Sequence, residues 1–396
     1  MNFIGEAKKI KDFIVNYRRI VHQYPEISGR EFRTSEFVAE TLKEIGVDEV
    51  YEGFGRTIGV VGIIKGKGDK TVALRADMDA LPVKEETGKS YASKVEGVMH
   101  ACGHDAHVAM VLGAAKLLVN IKNQLKGNVK LIFQPCEERQ DCRGAKRLID
   151  AGVLKNPDVN VIFGIHVNPE LETGKVATCT GPVLASSDVF SVKIFGKGTH
   201  ASKPHKGIDT VLIASQVVNT LHHIVSRRVD PLDPVVLTIG TIKGGEAENI
   251  IPEVVELKGT VRTLNEKIRK EIPIWIEEAL KGITTAYGGK YEFNYQEGTP
   301  PLINDEKTAL FTIEEIVKLL GRENFVYLKK PSMGGEDFAE YLKFVPGVYL
   351  RLGTGNREKG TTFPLHSPKF DIDEDALPVG TAVLSYLAFR WLEKNG

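Results

Sequence analysis

The stretch TVALRADMDALP, residues Thr71–Pro82, begins with apolar and β-branched residues and ends with Asp77 and Asp79 ahead of a proline. It lacks the strict in–out alternation of a half-solvated strand, so it predicts a strand buried on both faces, as in a parallel sheet covered by helices. NVKLIFQPCEE, residues 128–138, and NVIFGIHV, residues 160–167, repeat the pattern: an apolar run that ends in polar side chains. With helical spacing over 8–23 and 33–45 and one more apolar run at 58–64, the first part of the chain reads as α/β.

Beyond about Ser187 the rhythm changes to strand 188–195, helix 206–226, strands 235–243 and 253–262, helix 265–286 and strand 290–296. This βαββαβ order is the ferredoxin-like arrangement, large enough to form a small domain of its own. Helix and strand patterns resume at 304–320, 325–329, 335–344, 347–352 and 375–393. The simplest account is a larger α/β domain with a mixed sheet, built from residues 1–186 and 298–396 and interrupted by an inserted domain at 187–297.

A chain of 396 residues is too long for one compact core, which agrees with two domains. Lys+Arg and Asp+Glu are both 52, and no dense basic run is present, so nucleic acid is not an expected partner. No run reaches the ~18 apolar residues of a membrane span, and the N-terminus alternates charged with apolar residues instead of showing a signal-peptide core. Cys102, Cys136, Cys142 and Cys179 form no CxxC pair and are too sparse for a disulfide scaffold. A reducing cytoplasm is expected, with Cys136 and Cys142 as bystanders.

In open α/β sheets ligands gather beyond the carboxyl ends of the strands. Asp77 and Asp79, Glu137 and Glu138, and His166 all fall at that address. VMHACGHDAHV, residues 98–108, adds Cys102 and His104 just before a helical apolar pattern. Asp105 has a structural use there as an N-cap or as support from behind the site, and His100 and His107 read as structural. Thiolate, imidazole and carboxylate are the ligands of zinc and related ions. Cys102, His104, Glu138 and His166, with one more histidine from downstream, would hold one or two of them. Of two adjacent glutamates, one can coordinate while the other moves protons. Taken alone, Glu137–Glu138 would be an ordinary solvated pair and Cys102 a small buried hydrophobe.

The phrases RADMDALP, MHACGHDAHVA, FQPCEE, GIHV, GKGTHASKPHKGIDTV, ENIIP, SMGGEDFA and LHSPKF, in that order, resemble the M20 metallopeptidase family, and within it the amidohydrolase subfamily. The resemblance covers essentially the whole chain. It implies a discontinuous catalytic domain and an inserted dimerisation domain, hence a homodimer or dimer-based oligomer. It implies two divalent ions per subunit (zinc, manganese, cobalt or nickel) on Cys102, His104, Glu138, His166 and His366, one of the first two acting between the ions. Glu137 would be the general base and acid, and Asp77 would orient a ligating histidine. His200 would reach a partner subunit's site to steady an oxyanion, and Asn249, Arg262 and Gly335 would contact the substrate.

The family pattern is broken in two places. CEERQDCRGAK stands where members more often carry AEE and a glycine-rich stretch, and Arg75 stands where other branches have a metal-binding histidine, a change usual in this subfamily. The expected activity is hydrolysis of N-acyl amino acids or similar small carboxylate-bearing amides. A metallo-carboxypeptidase or dipeptidase is the alternative, and a binding protein that keeps the fold without the chemistry is a second.

Overall fold

A computed structural model describes residues 1–396. The chain divides into two compact units: Met1–Gly181 with Ile303–Lys329 and Glu340–Gly396, and Pro182–Leu302 with Lys330–Ala339.

The larger unit is built on an eight-stranded sheet. Its order is Glu49–Tyr51, Val60–Ile64, Asn128–Gln134, Thr71–Asp77, Val161–Glu172, Gly347–Gly355, Val176–Thr178, Phe325–Tyr327. The four strands from Asn128–Gln134 to Gly347–Gly355 run parallel, and antiparallel pairs on either side make the sheet mixed. Thr71–Asp77 is buried along its whole length, as its apolar start predicts, with Arg75 and Asp77 buried as well. The helix His104–Asn120 lies against this strand and packs on the helices Lys11–Gln23, Phe32–Ile45 and Leu377–Asn395. Buried on nearly every side, it carries little amphipathic signal.

Parallel register then sets the site's height. Asp77 pairs with Gln134, and Arg75 pairs with Gly164, which puts Asp77, the Pro135–Glu138 loop and His166 at one end of the sheet.

The smaller unit has a four-stranded antiparallel sheet in the order Val235–Lys243, Val254–Thr263, Ser187–Phe195, Lys290–Thr299. The helices Thr210–Arg227 and Glu266–Ala286 pack on it and on each other over Val192, Ile194, Val217, Leu221, Leu257, Ile272 and Ile276. This is the ferredoxin-like topology read from the sequence.

Several boundaries differ from the pattern for identifiable reasons. The helical spacing over 8–23 is two helices, Phe3–Lys9 and Lys11–Gln23, broken at Ile10. Helices expected from 206 and 304 begin at Thr210 and Glu306, because Asp209 and Asp305 cap them through their carboxylates. Only Ala339–Leu342 of the helix expected over 335–344 forms. The chain ahead of it belongs to the smaller unit instead: Ala185 N–H donates to the carbonyls of Ser332 and Gly334, and Ser332 N–H to that of Val183. No helix is long and apolar enough to cross a membrane.

Candidate metal and catalytic centre

The centre is assembled where the parallel strands end. Cys102 and His104 flank Gly103, whose φ of +80° turns the chain into the helix. A Cβ at Gly103 would lie 2.4 Å from Val167, so only glycine lets these two residues approach the neighbouring strand. His166 sits on that strand. Its Nδ1 donates to the Val167 carbonyl (2.7 Å), leaving Nε2 facing the Cys102 sulfur at 3.4 Å. Burial holds the His166 ring neutral and pushes the Cys102 thiol up to about 12.

His104 Nδ1 donates to the Asp79 carbonyl oxygen (2.9 Å) and to Asp79 Oδ1 (3.2 Å), which fixes the tautomer with a lone pair on Nε2. That Nε2 is buried, makes no hydrogen bond and lies 3.9 Å from Glu138 Oε1. Glu138 Oε1 is likewise without a hydrogen bond and lies 3.4 Å from His366 Nε2. His366 is held at a left-handed φ of +67°, with its N–H donating to the Ala101 carbonyl.

The five expected ligands therefore fall into two groups of mutually close donor atoms, Cys102–His104–His166 and Cys102–Glu138–His366. Cys102 is common to both. A buried His104 Nε2 without a hydrogen bond, facing a space ringed by thiol, imidazole and carboxylate donors, fits a borderline-soft divalent cation. Glu137 belongs to a third such group, with His104 and Glu138.

Other residues have different partners from those expected. Asp77 hydrogen-bonds His107 Nδ1 at 2.6 Å and Arg75 at 2.5 Å, and stands 3.9 Å from His104, so the carboxylate bonded to the candidate ligand is Asp79. The Asp77 carboxyl is buried, yet the neighbouring imidazoles and the Arg75 guanidinium hold it well below the usual range. His107 has no ring nitrogen left for a metal, because Nε2 accepts from Val167 N–H. Asp105 is not the N-cap: it takes Arg18 Nε at 2.7 Å and His22 Nδ1 at 2.8 Å behind the site.

Cys136 and Cys142, expected as bystanders, form a disulfide that closes the loop carrying both glutamates. The loop brings the Cα atoms of Cys136 and Cys142 to 5.9 Å, with a left-handed turn at Cys136, which no spacing rule foretells.

Sequence reasoning also passed over Glu31. It is fully buried, with Oε1 accepting from Cys136 N–H at 2.8 Å. Burial and the nearby Asp79 push its carboxyl from 4.5 to about 7. The folded chain thus holds this proton more tightly than the unfolded chain, and stability falls as pH rises through that window. Glu31→Gln keeps an acceptor for Cys136 and removes the titration. In metal-free protein it is expected to gain about 2–3 kcal/mol over wild type at pH 8 relative to pH 4.5. Urea midpoints at the two pH values that moved in parallel would contradict this.

In the smaller unit, His200 lies on the short strand Thr199–His200 paired with Ile250–Ile251. Its Nδ1 accepts from the Ser202 N–H (3.2 Å) and sits 2.8 Å from the Ser202 hydroxyl. The Asn249 carbonyl accepts from Ala201 N–H next to it. Arg262 is half-buried and makes no salt bridge, and a Cβ at Gly335 would come within 3.4 Å of its guanidinium.

Residues 73–390 match the model of peptidase family M20/M25/M40. Thermostable carboxypeptidase 1 of Saccharolobus solfataricus is 43% identical over 392 residues, 98% of each chain. N-acetyl-L-cysteine deacetylase of Bacillus subtilis is 40% identical over 383 residues, 96% of this chain and 89% of the relative. Among solved structures, the Bacillus subtilis protein YXEP, a dinuclear metal-binding peptidase of the M20 family, superposes with a TM-score of 0.85 at 35% identity, covering 98% of this chain and 99% of that one.

Proposed function

The chain belongs to peptidase family M20/M25/M40 and is a metal-dependent amide hydrolase; on that premise we propose that it cleaves the amide bond of N-acyl amino acids or related small carboxylate-bearing amides. The observation that carries the reading is the convergence of Cys102, His104, Glu138, His166 and His366 on one space, in two groups that share the thiol. Two divalent ions held there would supply a water of lowered pKa and a positive charge to polarise the scissile carbonyl.

This chain's own groups do the rest. Glu137 takes the proton of the attacking water and passes it to the departing amine. Asp77, clasped by Arg75 and His107, keeps a fixed negative charge behind the ligands. Arg262, which makes no salt bridge of its own, receives the substrate carboxylate through its planar fork, helped by Asn249, while Gly335 leaves room beside it. His200, with Nδ1 engaged by Ser202, turns Nε2 to the oxyanion of the tetrahedral intermediate, from the partner subunit of a homodimer.

A carboxypeptidase activity is the second reading, favoured by the 43% identical thermostable carboxypeptidase. The test is metal-stripped protein reconstituted separately with zinc, manganese, cobalt and nickel, then assayed on hippurate, N-acetyl amino acids and dipeptides. Hydrolysis should return only with an ion and run faster on the N-acyl amino acids. Faster turnover of dipeptides would move the assignment to the second reading, and no amide hydrolysis with any ion would sink both.

A further inference from the structure

Asp79 lies two residues past the end of the strand Thr71–Asp77 and is fully buried. Its backbone is pinned by the next residue, whose N–H donates to the Glu26 carbonyl at 2.8 Å. Its carboxylate divides between two segments that reach the centre independently. Oδ2 accepts from the Glu138 backbone N–H at 2.9 Å and from the Ser28 hydroxyl at 2.6 Å. Oδ1, together with the Asp79 carbonyl oxygen, takes the Nδ1–H of His104.

Glu138 follows the end of one strand and His104 begins a helix, and no backbone hydrogen bond joins the two residues. One rigid carboxylate spans them. On the far side of the same two residues, His104 Nε2 and Glu138 Oε1 face each other at 3.9 Å, and Glu138 Oε1 also faces His366 Nε2 at 3.4 Å. Any shift of Asp79 moves both.

We propose that Asp79 is a positioning residue that sets the spacing of His104 and Glu138, and through it the affinity of the metal centre. The inference rests on the metal-centre reading given above. A carboxylate is needed because the same side chain must accept from three donors: a backbone N–H, a hydroxyl and an imidazole N–H. Asparagine offers a single acceptor oxygen and turns an NH2 toward one of these donors. Partners of this kind usually tune metal affinity by about 10–100-fold. The Asp79 carbonyl oxygen remains on His104 in any variant, so the loss is expected within that range and not as complete failure to bind.

The experiment titrates full-length, metal-stripped wild-type and Asp79→Asn protein with cobalt(II). Its visible absorption reports ligand geometry, and a competing chelator reports affinity. Wild type should bind two ions per chain, while Asp79→Asn should bind at least one of them about 10–100-fold more weakly with an altered cobalt spectrum. A loss of stability alone, with the native fold retained, would not alter the spectrum of the ion that stays bound. Wild-type affinity with an unchanged spectrum in Asp79→Asn overturns the proposal. Failure of wild type itself to bind cobalt, zinc or manganese would instead remove the metal centre, and this inference with it.

Should Asp79→Asn not fold, Ser28→Ala decides the matter, since it removes one of the two donors to Asp79 Oδ2 and keeps the charge. It is expected to weaken binding by about 2–10-fold; unchanged affinity there overturns the proposal equally.

Discussion

Alanine in place of Glu137 should abolish amide hydrolysis while leaving the metal content of the protein unchanged. The expectation follows from the division of labour between adjacent carboxylates. Glu138 Oε1 faces His104 and His366, two of the imidazoles expected to bind metal, so its replacement should cost metal. Glu137 has a carboxylate oxygen in the same neighbourhood, within reach of His104 and Glu138, but stands outside the two groups that share Cys102.

A general base that also returns its proton as an acid contributes about 10²–10⁴-fold to the rate. Because Glu137 would serve both steps, kcat should fall toward the upper end of that range with little change in KM. Glu137→Gln, which keeps the shape and loses the basicity, should be nearly as impaired. Measured kcat on a hydrolysed N-acyl amino acid, together with metal content per chain, decides it. A Glu137→Ala enzyme with ordinary turnover would need a different base. Lost activity with lost metal would make Glu137 a ligand.

The strand ends that carry this chemistry were legible because a buried parallel strand announces itself as an apolar run, and polar residues at its carboxyl end have few other reasons to be there. The apolar run at the start of residues 128–138 forms the strand Asn128–Gln134, and the βαββαβ order of the smaller unit follows from period alone. Less was legible wherever a charged side chain is buried by partners distant in sequence. Glu31 and Asp79 hold the Cys136–Glu138 loop through backbone N–H groups, and no spacing in the sequence reveals an acceptor for a backbone donor. The Cys136–Cys142 disulfide starts from a left-handed residue that is not glycine, and its spacing matches no framework pattern. Asp105 has the position of a capping residue in the sequence, but Gly103 makes the turn and frees the carboxylate for other work. Arg18 did leave a trace. It stands four residues after Ile14 and three before Val21, on the apolar face of its helix, where an arginine needs a partner.

That arginine should be the most costly single residue to remove from the fold outside the metal centre. Arg18 is fully buried, and its guanidinium donates to Asp105 at 2.7 Å, Asp371 at 2.8 Å and Glu374 at 3.2 Å. Arg18→Met fills much of the same volume, leaves Asp105 with only His22 and deprives Asp371 of its buried charge partner, though Tyr91 still donates to it and Lys89 stays at 3.5 Å. Breaking a buried pair from one side costs about 3–5 kcal/mol, read as a lower urea midpoint at pH 7. The pH dependence separates charge from packing. Burial opposes ionisation of Asp105 and Asp371, but the Arg18 charge and the hydrogen bonds they accept outweigh it, holding Asp105 well below 3.8 and Asp371 below it in the folded protein. A depressed carboxyl stabilises above the unfolded pKa and loses that contribution as pH falls through the folded one. In Arg18→Met the two carboxyls take up protons at higher pH, so the gap from wild type should narrow below about pH 4. A gap of the same size at pH 7 and pH 3.5 would mean that lost packing, not the charge, is responsible. Asp105 follows the candidate ligand His104 in the same helical turn, so the variant should also bind metal more weakly at pH 7, where its fold is still largely intact.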